Sequence, residues 1–290
     1  MNFSDYPFNN HFLTLQCGRM HYLDEGQGKP ILMLHGNPSW SYYYRHLVTQ
    51  LKSSYRVIVP DHLGCGLSDK PGDADYSYTL AERISNIESL LKHLHLDTDI
   101  TLVMHDWGGA IGMGLATRHP DWFSRFVLFN TAAFFPLPEA LPWQLKLALS
   151  PLGRLLIRSM NGFAQAAAWV GCQQKPLTRT IRRSYCAPYN SWHNRIATLR
   201  FIQDIPRDPL HNSYALARDI SQQLSQLSAR DCLICWGGKD PVFTPAYFSR
   251  WQEIFPHAQT HYFKQAGHYV LEDASEVILP LVETFLAQTQ

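Results

Sequence analysis

Apolar residues along this chain follow two rhythms. Short, near-continuous runs occur at Ile31–Leu34, Arg56–Val59, Ile100–Met104, Phe126–Phe129, Cys232–Cys235 and Thr260–Phe263. Between them, Tyr42–Leu51, Leu80–Leu94, Ala110–Arg118, Pro245–Ile254 and Glu276–Ala287 have helical spacing. Runs that are apolar throughout predict strands buried on both faces. Their alternation with helices predicts a mostly parallel α/β sheet covered on both sides. Two earlier runs, Phe12–Cys17 and Met20–Leu23, meet at Gly18 and predict an antiparallel start.

The rhythm breaks after the Phe129 run. From Phe134 to about Leu210 no strand pattern recurs, and "FFPLPEALPWQLKLALSPLGRLLIRSM", "FAQAAAWVG" and "SWHNRIATLRFIQDIP" have helical character. This predicts a helical cap over residues 134–210, set into a core made of residues 1–133 and 211–290. The cap's apolar face is expected to pack on the core. Docking on a membrane surface is the other reading, disfavoured by positive charges that look few and dispersed.

With 46% apolar and 17% charged residues, the 290-residue chain can bury a sizeable core. A net charge of +1 leaves no electrostatic footprint for nucleic acid. The start, "MNFSDYPFNN", lacks the basic and apolar stretches of a leader, and no apolar stretch is long enough to span a bilayer. The cytoplasm is the expected compartment. Cys232 and Cys235 form a CxxC, but residues three apart on a strand point to opposite faces. They are read as buried apolar thiols, not as a metal or redox pair.

In open parallel sheets, ligands bind beyond the carboxyl ends of the strands. Asn37, Asp106, Asp240 and His268 all fall there. "LVMHDWGGAIG" places Asp106 between a strand and a helix, with Gly108 and Gly109 supplying the small residues that a sharp elbow needs. Met104 stands where such elbows usually have another small residue. Asp106 could instead be a simple helix N-cap. As a nucleophile, an aspartate is already ionised near neutral pH and needs no activating base. It would attack a carbon bearing a leaving group, which points to displacement at alkyl carbon or ring opening. His268, in "KQAGHYVLED", is the candidate base, and Asp240, in "WGGKDPVF", the acid that orients it. Glu272 and Asp273 are rival carboxylates. The backbone N–H groups of Asn37 and Trp107 are candidate oxyanion donors, and their side-chain N–H groups candidate holders of an anionic leaving group. His62, in "VPDHLGCGLSDKP", is read as part of a supporting loop. Nothing in this chemistry calls for a cofactor or a metal.

Together, "HGNPSW", "PDHLGCGLSDKP", "HDWGGAIG", "WGGKD" and "AGHYVLED" resemble the haloalkane dehalogenase group of α/β-hydrolases, over nearly the whole chain. The resemblance implies the α/β-hydrolase fold, Asp106 as nucleophile, His268 as base, and Asn37 with Trp107 stabilising the leaving group. Some members carry the acid after an earlier strand. Asn130 holds that place here, so Asp240 is the acid. "HGNPSWSYYYRHL", "FNTAAF", "LPWQL", "APYNSW" and "RIATLRFIQDIP" are similar to the β-lactone decarboxylase branch of bacterial long-chain olefin biosynthesis. That branch turns a cis-3,4-dialkyl-β-lactone into a cis-alkene and carbon dioxide. The likeness implies a long-chain apolar substrate, which Trp143, Phe163 and Trp169 would suit. It also implies association with a β-lactone synthetase and a ketone reductase. Whether Asp106 attacks the carbonyl or the alkyl carbon stays open. The alternatives are a hydrolytic haloalkane dehalogenase, an epoxide hydrolase using cap tyrosines (Tyr185, Tyr189 or Tyr214), and an idle binding subunit. The complete set of Asp106, Asp240 and His268 argues against the last.

Overall fold

The apolar runs become the strands of one eight-stranded sheet: β1 (His11–Leu15), β2 (Gly18–Glu25), β3 (Pro30–Leu34), β4 (Arg56–Pro60), β5 (Ile100–Asp106), β6 (Phe123–Thr131), β7 (Asp231–Gly237) and β8 (Gln259–Phe263). The computed structural model describes residues 3, 5–135, 137 and 139–288. Part of the N-terminal stretch (residues 1, 2 and 4) and two prolines at the head of the predicted cap (136 and 138) therefore lie outside the described residues. The strand order is β1-β2-β4-β3-β5-β6-β7-β8. β2 pairs antiparallel with β1 and β4, and every later pairing is parallel.

Side chains alternate across this sheet as the pleat requires. Leu32, Leu34, Leu102 and Met104 join one buried cluster, while Ile31, Met33, Val103 and Phe129 join the other. The first cluster is closed by α2 (Leu80–His93), α3 (Trp107–Arg118), α9 (Tyr214–Gln223) and α10 (Pro245–Ile254). The second is closed by α1 (Arg45–Leu51), α11 (Val270–Asp273) and α12 (Ser275–Ala287). Cys232 and Cys235 are buried free thiols in opposite clusters, so the CxxC is divided by the sheet.

Between β6 and α9 lie α4 (Trp143–Leu149), α5 (Pro151–Met160), α6 (Gly162–Val170), α7 (Arg179–Cys186) and α8 (Ile196–Gln203). What reads as one long amphipathic stretch is two helices, because Ser150 ends α4 and begins α5. Its backbone is extended (ψ 158°), its hydroxyl accepts from Gly153 N–H at 3.1 Å, and Pro151 opens the next turn. Apolar periodicity did not predict α7 or α9, and each buries few of its own residues.

Two features differ from the expectations for this region. Leu152, Leu155 and Met160 of α5 turn their side chains to solvent instead of onto the core. The positive charges are concentrated, since residues 140–203 contain nine Lys and Arg and no Asp or Glu, although Glu276 and Asp73 of the core pair with Lys175 and Arg200.

Two acidic groups tie the helical segment to the sheet. Asp273 accepts backbone N–H bonds from Gln173 (2.7 Å), Gln174 (3.0 Å), Lys175 (2.7 Å) and Gly267 (2.7 Å). Glu272 holds buried Arg45 through two N–H bonds of 2.5 and 3.0 Å and accepts from the Tyr185 hydroxyl. Removing one partner of a buried ion pair strands the other charge in a low-dielectric interior. Glu272→Ala is therefore expected to lower the unfolding free energy by about 3–5 kcal/mol, measured by urea denaturation. An unchanged midpoint would show that Arg45 finds equal compensation elsewhere.

Candidate active site

The four suspected strand-end residues converge. β5 runs two residues further than its apolar run suggests and ends on Asp106; α3 starts at once at Trp107 instead of at Ala110. No loop separates strand from helix because Asp106 itself makes the turn, with φ 52° and ψ −124°. A non-glycine residue held at positive φ carries backbone strain of order 1–3 kcal/mol, of the kind that gathers at functional sites. Asp106 occupies the N-cap position of α3, yet its side chain makes no capping bond. The simple N-cap reading therefore fails. The oversized Met104 is accommodated from the helix side, since a Cβ on Gly112 would lie 2.6 Å from its sulfur.

The Asp106 carboxylate is pinned by one oxygen. Oδ1 accepts the Asn37 backbone N–H at 2.6 Å. Gly36 makes this approach possible, because any Cβ there would overlap the Asp106 carboxylate. The contact with Asp106 is what requires glycine at this position. The other oxygen, Oδ2, faces His268 Nε2 at 3.9 Å. On the far side of the ring, His268 Nδ1 lies 2.8 Å from Asp240 Oδ2. Asp240 also keeps the turn role of an Asp-Pro sequence, its Oδ1 accepting from Val242 N–H (2.8 Å) and Phe243 N–H (3.1 Å). One carboxylate thus shapes its own loop and aims the imidazole.

Electrostatics follow from this geometry. Burial raises the Asp106 pKa above the ordinary carboxylate value; His268 and the N–H groups of Asn37 and Trp107 oppose that rise. Burial alone would lower the His268 pKa, but the Asp240 and Asp106 carboxylates more than reverse this, and the net shift is upward. The array therefore favours an imidazolium held between two carboxylates.

Comparisons with known proteins establish the family. A family profile described as "alpha/beta hydrolase fold" matches residues 29–275. The chain belongs to the α/β-hydrolase family. Its sequence is 48% identical over 287 residues to a cis-3-alkyl-4-alkyloxetan-2-one decarboxylase of Shewanella oneidensis, covering 98% of this chain and 90% of the relative. A decarboxylase of the same name from Xanthomonas campestris pv. campestris is 43% identical, with 99% and 98% covered. Haloalkane dehalogenase 2 of Mycobacterium bovis is 31% identical, with 97% and 96% covered. Among solved structures, a mutant haloalkane dehalogenase from Agrobacterium tumefaciens shares the fold with a TM-score of 0.85 at 24% identity, covering 99% of this chain and 100% of that one.

Within this α/β-hydrolase, a cavity of about 750 Å³ opens above Asp106, Asn37, Trp107 and His268. Its walls are mostly apolar, with Phe134, Leu145, Ile157 and Phe163 among them. Trp143 and Phe163 line it as expected. Trp169 does not: it is exposed, with the Arg182 guanidinium 3.7 Å above its ring. Trp107 is half-buried and is part of the cavity's wall, beside Asp106. Asn37 Nδ2 donates to the Thr198 carbonyl at 3.1 Å, so one of its two amide hydrogens is engaged with α8.

The rival residues have other tasks. Asn130 bonds both backbone groups of Gly237 (2.7 and 2.9 Å) and joins the ends of β6 and β7. Tyr185 meets Glu272 and Tyr189 meets the Ser39 carbonyl, and neither they nor Tyr214 line the cavity among the described residues. His62 and His35 bond each other's backbone (3.0 and 3.1 Å) beneath the site, a supporting role. Two contributors escaped the sequence reading. His105 Nε2 donates to the His268 carbonyl at 2.9 Å, and Phe243 stacks on the His268 ring with centroids 5.7 Å apart. The adjacency of His105 to Asp106, and of Phe243 to the Asp240 turn, was the only available signal.

Asp240→Asn removes the negative charge that raises His268, so the imidazole pKa is expected to fall, read by NMR titration. Adding Asn130→Asp is expected not to restore it, because that side chain is committed to Gly237. Recovery of the higher value would relocate the acid to position 130.

Proposed function

We propose that this protein is a β-lactone decarboxylase, converting a long-chain cis-3-alkyl-4-alkyl-oxetan-2-one into a cis-alkene and carbon dioxide. The observation that carries the reading is the split environment of one carboxylate. Oδ1 of Asp106 is held by backbone N–H, while Oδ2 faces His268, and the residue lines a mostly apolar cavity. Relatives bearing this activity's name match almost the whole chain, the helical segment included.

This split also favours one site of attack. Attack on the lactone carbonyl would develop an oxyanion on the substrate, but the N–H groups that would receive it already hold Asp106 itself. Attack by Oδ2 at the ring carbon bearing oxygen needs no such hole. The ring C–O bond breaks, and its electron pair leaves as a carboxylate still tethered to the substrate. Asn37 and the Trp107 indole N–H are placed to receive that charge. The C–C bond to the carboxylate then breaks, its pair forms the double bond, and the ester C–O pair returns to Asp106. Carbon dioxide departs. Electrons balance with no proton, water, metal or cofactor. Inversion at the attacked carbon followed by anti elimination amounts to net syn loss, so a cis-lactone gives a cis-alkene.

In this scheme Asp106 is the nucleophile. His268, charged and oriented by Asp240, stabilises the carboxylate as it is released. Residues 134–210 act as the cap, since helices α4, α5, α6 and α8 supply much of the cavity wall. Among the described residues no helix is long and apolar enough to cross a membrane. The reading places the reaction in the cytoplasm, where thiols such as the six here stay reduced. A β-lactone synthetase and a ketone reductase are the expected neighbours in the reaction sequence.

Purified protein given a cis-dialkyl-β-lactone, bromoalkanes and epoxides is expected to release alkene from the lactone, and Asp106→Ala to abolish it. Bromide or diol as the main product would overturn the reading. After many turnovers in heavy-oxygen water, the Asp106 peptide should remain unlabelled, because no water attacks the ester. Label in that carboxylate would reveal a hydrolytic cycle of the dehalogenase kind.

A further inference from the structure

The helical segment presents an unusual outer face. Trp143 of α4, Leu152, Leu155 and Met160 of α5, and Trp169 of α6 are between 53 and 69% exposed. Helices α4, α5, α6 and α7 pack each against the next, so these exposed side chains lie on successive helices of one layer, and Met160 and Trp169 line a common cavity. Monomeric proteins seldom leave a contiguous apolar patch of this kind without a use.

Two cavities border the patch. The reaction cavity reaches it, because exposed Trp143, Leu147 and Val170 are also part of that cavity's wall. A second cavity, of about 500 Å³, brings Met160 and Trp169 together with Arg179, Arg182 and Arg183. Arg179 and Arg183 are exposed. The charge of the whole segment has a single sign, with nine basic residues and no acidic one across 140–203, although the chain as a whole carries only +1. A protein partner is commonly met by interspersed charges of both signs. Tryptophans and leucines beside a cavity lined by arginines, with no carboxylate among the lining residues, match the layering of an anionic bilayer instead.

We propose that this face docks on an anionic lipid bilayer. Leu152, Leu155, Met160 and Trp169 enter the boundary between headgroups and acyl chains. Arg179, Arg182 and Arg183 meet lipid phosphates, and the reaction cavity opens towards the acyl layer. The docking does not depend on which reaction Asp106 performs. It gives any water-insoluble guest a route to the site that avoids bulk water.

The test is co-sedimentation of the full chain with vesicles of phosphatidylcholine alone and of equal parts phosphatidylcholine and phosphatidylglycerol. Wild type is expected to bind the mixed vesicles, much less the neutral ones, and to be released by salt. Leu155→Glu with Met160→Glu, and separately Arg179→Glu with Arg183→Glu, are each expected to weaken binding roughly tenfold or more. None of these four residues lines the reaction cavity. Circular dichroism and turnover of detergent-dispersed substrate should therefore stay unchanged. If the glutamates on α5 prevent folding, the arginine pair carries the test alone. Wild type remaining in the supernatant, or variants that bind as well as wild type, would overturn the proposal. So would a wild-type dimer that the α5 variant splits without any vesicle binding, since a second copy would then cover the face.

Discussion

The hydrogen bond from Asn37 N–H to Asp106 Oδ1 is the constraint around which the site is organised. It needs β3 and β5 side by side in a fixed register, with Leu34 opposite Met104, so that the two strand ends deliver donor and acceptor to one point. It needs glycine at position 36, where any side chain would meet the carboxylate. It also needs the strained backbone at Asp106, which lifts the side chain off the helix it would otherwise cap. A buried carboxylate is costly to desolvate, and that cost is offset by charge-assisted bonds from fixed dipoles and by the nearby imidazole. The result is a carboxylate with one oxygen immobilised by backbone N–H and the other turned towards His268.

Around it, single polar groups serve two purposes each. Asp240 closes its own turn and orients His268. His105, buried and kept neutral by that burial, fixes the backbone carbonyl of His268 while its ring stacks on Tyr43. Behind Trp107, Arg83 lies over the Phe201 ring at 3.8 Å and pairs with Asp204 at 3.0 Å, so a buried cation supports the wall that carries the indole donor. Polar groups arranged this way restrict the site to one geometry, because any shift leaves a buried charge without its partner.

Much of this was legible along the chain because it rests on local patterns. Strand pleat imposes a two-residue alternation, and the elbow and the Asp240 and His268 turns each occupy a few consecutive residues. What depended on distant contacts was not legible. The role of Gly36 is visible only once Asp106 is beside it. Met104 looked like a flaw until Gly112, a helix turn and more away, proved to make room for it. Helix α7 buries chiefly Ser184 and Tyr185, so apolar periodicity had almost nothing to register. Trp169 would suit a long-chain guest by its apolar character, yet it is exposed and an arginine from the next helix covers its ring. The one-signed charge of residues 140–203 was written in the sequence but was masked by the near-neutral total.

The four N–H bonds gathered by Asp273 carry a consequence for how the molecule breathes. They join the backbone at Gln173, Gln174 and Lys175 to Gly267, the residue before His268. The roof above the imidazole is thereby anchored at that corner and cannot swing away without dragging the histidine out of line. Movement of residues 173–175 is therefore coupled to the position of the imidazole.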